Sequence, residues 1–165
     1  MTAVPPIVVR QPDLYDIVDD PVRVCGVGTG FEGTFAARIR DANGQQRGQV
    51  QIHAGGTGIW GNFDVAIPLG GVPPTPQGTL EVYEVSQRDG SEINKVTVLV
   101  TFGTALLNPY HGFLQHTVAP GDTLSSIAAR YLGNANLWPR VFEANRNSVL
   151  DANRIFPGQV LRVPQ

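Results

Sequence analysis

Between residues 7 and 102 the apolar positions recur mainly with a period of two. Thr34–Arg40 sets Phe35, Ala37 and Ile39 against Thr34, Ala36 and Arg38, the alternation of a half-buried strand. Trp60–Leu69 repeats it with Phe63, Val65, Ile67 and Leu69, and Ile93–Phe102 with Val96, Val98, Val100 and Phe102. Shorter β-forming runs stand at Ile7–Arg10, Pro21–Gly26, Gln49–Ala54 and Thr79–Val85. Turn chemistry separates them: Asp41-Ala-Asn43-Gly44, the Pro-rich stretch Gly70–Gly78, and Arg88-Asp89-Gly90-Ser91. After residue 115 the period changes. A short strand at His116-Thr-Val118 and a turn at Ala119–Asp122 lead into Leu124, Ile127, Ala128 and Tyr131, which fall at i, i+3, i+4 and i+7 of a helix. Asp122 or Thr123 is its N-cap, because a side-chain oxygen there takes an unpaired helix N–H. Gly133-Asn134 stops it. A second stripe, Leu137, Val141 and Ala144, carries Trp138 at its flank and Pro139 in its first turn. A loop runs from Asn145 to Gly158, and Gln159–Val163 closes as a strand, giving the order β-α-α-β.

Seven short strands with frequent turns predict a β-sandwich of immunoglobulin type. The chain is then mainly β with a small α+β module, divided at the change of period: 5–103 sandwich, 104–114 linker, 115–165 βααβ unit. In the linker, Leu106, Leu107, Tyr110 and Phe113 are expected to dock against their surroundings.

Composition agrees with many short elements, since 19 Gly and 13 Pro leave no room for a long-helix bundle. A net charge of −2 with 42% hydrophobic residues excludes a disordered tail. Seven basic residues face eleven acids before residue 115, and five arginines face three acids after it, so neither part carries the basic stripe of a nucleic-acid binder. No stretch approaches the ~20 apolar residues of a membrane span. The start, Met1–Arg10, lacks a positive n-region, and its apolar run is too short for a signal peptide. Cys25 is single, so an internal disulfide is excluded, and its neighbours Val22 and Val24 predict a buried small hydrophobe.

Catalytic and cofactor chemistry finds little support. Gly28-Thr-Gly30-Phe-Glu-Gly33 matches a dinucleotide fingerprint, but a strand pattern follows where a helix N-terminus is needed. Asp19-Asp20 reads as a turn, and Glu81 and Glu84, three apart on a strand, point to opposite faces. His53, His111 and His116 lack metal-site spacing. The reading is therefore non-catalytic, with no cofactor and no metal.

Two resemblances add a function. Pro21-Val-Arg-Val, Phe31-Glu32-Gly33-Thr34, Arg38-Ile-Arg-Asp41, Trp60-Gly-x-Phe63 and Ser86-x-x-Asp89-Gly90-Ser91 resemble the immunoglobulin-like domain of bacterial spore germination proteins. That resemblance implies a bacterial envelope setting and no catalytic residues; Phe31, Glu32 and Trp60 are expected in packing and turn roles, with a partner surface as the alternative. His116-Thr-Val-x-x-Gly121-Asp122-Thr123-Leu124, Tyr131-x-Gly133, Trp138-Pro139, Glu143-Ala144-Asn145 and Ile155-Phe-Pro157-Gly158-Gln159-x-Leu161 resemble the lysin motif, LysM. LysM implies binding of N-acetylglucosamine-containing glycans, peptidoglycan or a chitin-like polymer, without hydrolysis. Its groove, carried over by position, comprises Gly121, Asp122, Thr123 and Leu124 on one side and Asn153, Arg154, Ile155 and Phe156 on the other. An N-acetyl sugar is neutral, so backbone amides held open beside an apolar patch suit it, and Arg154 can meet a hydroxyl or a peptide-stem carboxylate. A single copy is expected to bind weakly. The expected location is the cell envelope, or the cytoplasm if the chain is a structural assembly protein whose LysM contacts another protein.

Overall fold

The computed structural model describes residues 5–165; Met1–Val4, which belong to the apolar start discussed above, lie outside the described residues. Ten strands and three short helices follow in order: β1 Ile7–Gln11, β2 Asp16–Val18, β3 Val22–Gly28, β4 Thr34–Asp41, β5 Gln46–His53, β6 Gly61–Ile67, β7 Gln77–Val85, β8 Glu92–Phe102, α1 Gly103–Leu106, β9 Phe113–Thr117, α2 Leu124–Leu132, α3 Trp138–Glu143 and β10 Val160–Pro164. The architecture is mainly β: a two-sheet sandwich followed by a small α+β unit.

One sheet has the order β1-β3-β6 and the other β2-β8-β7-β4-β5. Their facing sides fill the space between them with Ile7, Val22, Val24, Phe35, Ala37, Ile39, Phe63, Ile67, Leu80, Val82, Val100 and Phe102, all buried. Each fully buried side chain of this size stabilises the fold by roughly 1.5–3 kcal/mol. Phe35 and Phe63 meet edge-on at 5.6 Å across the layers. The seven strand runs read from the alternation all form. β2 was not anticipated, because its three residues carry no period and exist through parallel pairing with Val100–Phe102 of β8. Cys25 corrects the expectation of burial: on β3 the inward positions are Val22 and Val24, so Cys25 turns to the other face and is half-buried beside Gln11. The Gly28–Gly33 segment forms a 3-10 turn that passes directly into β4, with no helix to receive a pyrophosphate.

On the outer face of the larger sheet, Arg38 is 8% exposed yet fully engaged. It donates to Glu81, to both oxygens of Glu92 and to Tyr83 Oη, and lies 4.5 Å over the Tyr83 ring. Hydrogen bonds from Arg38 and then Lys95 hold the Glu92 carboxyl down at about 2.

The second core is smaller, with Val118, Leu124, Ile127, Ala128, Val141, Val149, Leu161 and Val163 buried between α2, α3 and the antiparallel pair β9–β10. Between the cores the chain packs tightly: Leu106 is buried, and the Tyr110 ring covers Gly103, where an added Cβ would fall 2.4 Å from it. Burial, then the nearby Asp19, pushes the Tyr110 hydroxyl up to about 12. Arg162 of β10 donates to the Tyr15 carbonyl at 3.0 Å, and Gln77 Nε2 of β7 donates to the Glu143 carboxylate at 2.8 Å.

Candidate functional site

The helix α2 begins where its sequence dictates. Thr123 is the N-cap: its hydroxyl accepts the Ser126 N–H at 3.0 Å, and the Ser126 hydroxyl accepts the Thr123 N–H at 2.9 Å. This reciprocal capping box satisfies two otherwise unpaired donors. Gly133 ends the helix in a left-handed conformation with φ 72°, where a side chain would be strained. On the far side, Asp151 Oδ1 accepts the Asn153 N–H, and the Asp151 carbonyl accepts the Arg154 N–H, which folds the segment 151–154 into a turn.

Between these two loops lies a groove of about 440 Å³ lined by Asp122, Thr123, Leu124, Ser125, Trp138, Ala152, Asn153 and Ile155. Its volume falls within the ~300–1,000 Å³ of small-ligand sites. Five of the eight residues expected from sequence meet here: Asp122, Thr123 and Leu124 face Asn153 and Ile155. Gly121, Arg154 and Phe156 are exposed outside the lining. Gly121 serves the turn before the cap, with φ 88°. Phe156, 60% exposed, hands its N–H to Gln159 Oε1 at 3.2 Å. Ser125, Trp138 and Ala152 were not among the expected site residues. For Trp138 a signal existed: a large aromatic at the flank of a helix stripe whose inward positions were already filled.

One lip of the groove is held from beneath. His116, only 7% exposed, places Nε2 2.8 Å from Asp122 Oδ2 and Nδ1 3.0 Å from the Tyr131 hydroxyl. The same Asp122 oxygen accepts the Ala119 N–H at 2.9 Å. The Ala119 N–H, then His116, holds the Asp122 carboxyl below its usual value. The end of α3 is tied to β10 through Asn145, 1% exposed, which donates to the Val141 and Arg162 carbonyls and accepts the Arg162 N–H, each at 2.7 Å.

At the opposite end of the sandwich, Phe31, Ile59 and Trp60 are 56%, 68% and 44% exposed, with Glu32 beside them also exposed. The buried Glu84 anchors this end by accepting the Phe31 N–H at 3.0 Å and an Asn94 side-chain N–H. Glu81 and Glu84 are thus engaged in separate structural roles, the first with Arg38 and the second under the loop. Among the described residues no group of three or more His, Cys, Asp or Glu side chains is placed to hold a metal ion. No helix among them is long and apolar enough to cross a membrane.

A two-sheet sandwich joined to a βααβ unit with an open groove between its loops is the build of a modular binding protein. The chain belongs to the family described as the immunoglobulin-like domain of bacterial spore germination, Gmad2, matched over residues 6–91, and it carries a LysM domain matched over residues 116–164. Both are binding-type domains. The LysM domain supports general binding of N-acetylglucosamine-containing glycans and association with the cell envelope. Among relatives, the Potassium binding protein Kbp of Escherichia coli is 50% identical over 50 residues, covering 30% of this chain and 34% of that protein. Esterase Rv1288 of Mycobacterium tuberculosis is 43% identical over 63 residues, 38% of this chain and 13% of that one. The Uncharacterized protein YqbP of Bacillus subtilis is 30% identical over 59 residues, 30% of this chain and 27% of that protein. The chain thus spans about a third or less of the length of these relatives.

Proposed function

We propose that this protein is a non-catalytic glycan-binding protein whose groove takes the N-acetylglucosamine units of peptidoglycan, while the sandwich acts as a spacer or a protein-binding surface. In this reading the units 5–103 and 115–165 are separate domains joined by 104–114. The supporting observation is the groove itself, where hydroxyl, amide and carboxylate groups of Thr123, Ser125, Asn153 and Asp122 stand beside the apolar Leu124, Ala152 and Ile155. A neutral N-acetyl sugar needs that mixture: hydrogen-bonding partners for its hydroxyls and amide, and an apolar wall for the acetyl methyl.

Co-sedimentation with purified peptidoglycan tests it. Wild type is expected in the pellet, and Thr123→Arg/Ile155→Asp, which fills the groove and puts a charge on its apolar wall, in the supernatant. Wild type remaining in the supernatant sinks the reading. The alternative, an assembly protein in which the LysM unit and the sandwich mediate protein-protein contacts, is favoured by the exposed Phe31, Ile59 and Trp60 of the sandwich. It predicts that wild type stays in the supernatant with peptidoglycan but captures a partner protein, and that Phe31→Ser/Trp60→Ser abolishes that capture.

A further inference from the structure

The groove residues expected from sequence supply caps, an amide and two aliphatic side chains, yet the structure adds an indole to the same wall. Trp138 opens α3, is 37% exposed, and lines the groove with Leu124, Ala152 and Ile155. Its place is well determined. The segment before it is a 3-10 turn capped by Asn134, whose side chain accepts the Asn136 N–H at 2.9 Å. Pro139 fixes the first turn of the helix, and the Trp138 ring packs at 6.5 Å and 58° against Phe142, which is itself covered by the Arg146 guanidinium at 5.0 Å. The indole is therefore braced on one side and open on the other.

Two further facts bear on what it does. At 37% exposure the indole is not sealed into the core, where a Trp packed fully inside would pair its N–H within the protein. The residues that share the groove with it are also the wrong ones for a closed core: Asp122, Thr123, Ser125 and Asn153 keep part of the lining polar. A partly exposed aromatic ring that shares a groove with hydroxyl and amide groups matches a ligand with one apolar face and a polar rim. A pyranose ring has that form, because its axial C–H bonds gather on one face and its hydroxyls point outwards.

We infer that Trp138 is a ligand-binding residue of this groove, stacking its indole on the C–H face of a pyranose unit while the polar lip meets that unit's hydroxyls. The inference rests on the glycan reading above and specifies the ligand as a sugar presented face-on. A phosphate gains nothing from an indole plane. Leu124 and Ile155 then receive the acetyl methyl, and the carboxylate of Asp122, already engaged by His116 and Ala119, helps shape the lip.

The test uses the whole chain, a chito-oligosaccharide of five N-acetylglucosamine units, and Trp60→Phe as background so that the remaining indole reports alone. Saturable binding by calorimetry with a matching change in Trp138 emission is expected. Trp138→Ala is expected to weaken binding about tenfold, and Trp138→Phe, which keeps an aromatic plane, to retain most of it. Circular dichroism of each variant separates a lost platform from a lost fold, and the emission titration needs no substitution at 138. If the oligosaccharide binds by calorimetry while Trp138 emission stays flat and Trp138→Ala binds as wild type, the stacking role is overturned and the glycan reading stands. If calorimetry finds no binding of the oligosaccharide to wild type or to the Trp60→Phe background, the glycan reading fails and the stacking role falls with it.

Discussion

The two halves of the molecule solve the problem of holding a loop still in different ways. The sandwich has a large core, and its sheets are fixed by facing Val, Ile, Leu and Phe side chains. The LysM unit buries eight hydrophobic residues in one cluster, too few to position two long loops by burial alone. It adds polar brackets: Asn145 ties the 144–146 turn to β10, the Thr123–Ser126 box fixes the helix start, and His116 clamps Asp122. A small domain under this constraint depends more on individual hydrogen bonds than the sandwich, whose Glu84 and Arg38 bonds stand beside a much larger core, and the groove lies among the bonds of the small domain.

Two substitutions sharpen the contrast. Phe35→Ala should have the largest effect, about 3–5 kcal/mol off the stability of the sandwich, because it leaves a cavity against Phe63 and removes a ring from the centre of the core. Urea unfolding followed by circular dichroism measures it. Asn145→Ala should cost the LysM unit about 3 kcal/mol, since it strands the Arg162 N–H and two carbonyls in a buried place. The same titration followed by Trp138 emission in the Trp60→Phe background reads that unit. A loss below about 1 kcal/mol for Asn145→Ala would mean that burial, and not polar bracketing, carries the smaller domain.

Acid titration gives the smallest and most local effect. Because the folded Asp122 carboxyl lies below its ordinary value of 3.8, its contribution is present above pH 3.8 and is lost as pH falls through the lower, folded value. Asp122→Asn should therefore remove part of the acid sensitivity of the LysM unit while leaving stability near pH 3 closer to that of wild type. Glu92 in the sandwich behaves with the same sign over a window from 4.5 down to about 2, through Arg38 and Lys95. Glu92→Gln should leave the acid response of the LysM unit unchanged, and an altered one would contradict the separate bracketing of the two halves.

Much of this was legible in the chain. The period-two runs show which faces of the β-strands point inwards, and the i, i+3, i+4, i+7 spacing with Thr123 and Gly133 at its ends marks α2 almost to the residue. Both are local properties, set by backbone geometry and the nearest neighbours. β2 was invisible because three residues have no period, and Cys25 was misjudged because adjacent Val residues say nothing about which face of a strand a position takes. Arg38 looked like an ordinary outward position of β4; its near-complete burial depends on Glu81, Glu92 and Tyr83, which arrive from β7 and β8.

The groove divides in the same manner. The sequence by itself determined the two fold types, the order of elements, the caps that start and stop α2, and the low charge that suits a neutral ligand. Only the tertiary structure decided that Leu124 and Asn153, 29 positions apart, share one wall-to-wall space, that Trp138 joins them, and that Gly121, Arg154 and Phe156 stay outside. The reason is physical: periodicity and capping act over a few residues, whereas a groove is the space left when distant loops are tied down by bonds such as His116 to Asp122 and Asn145 to Arg162.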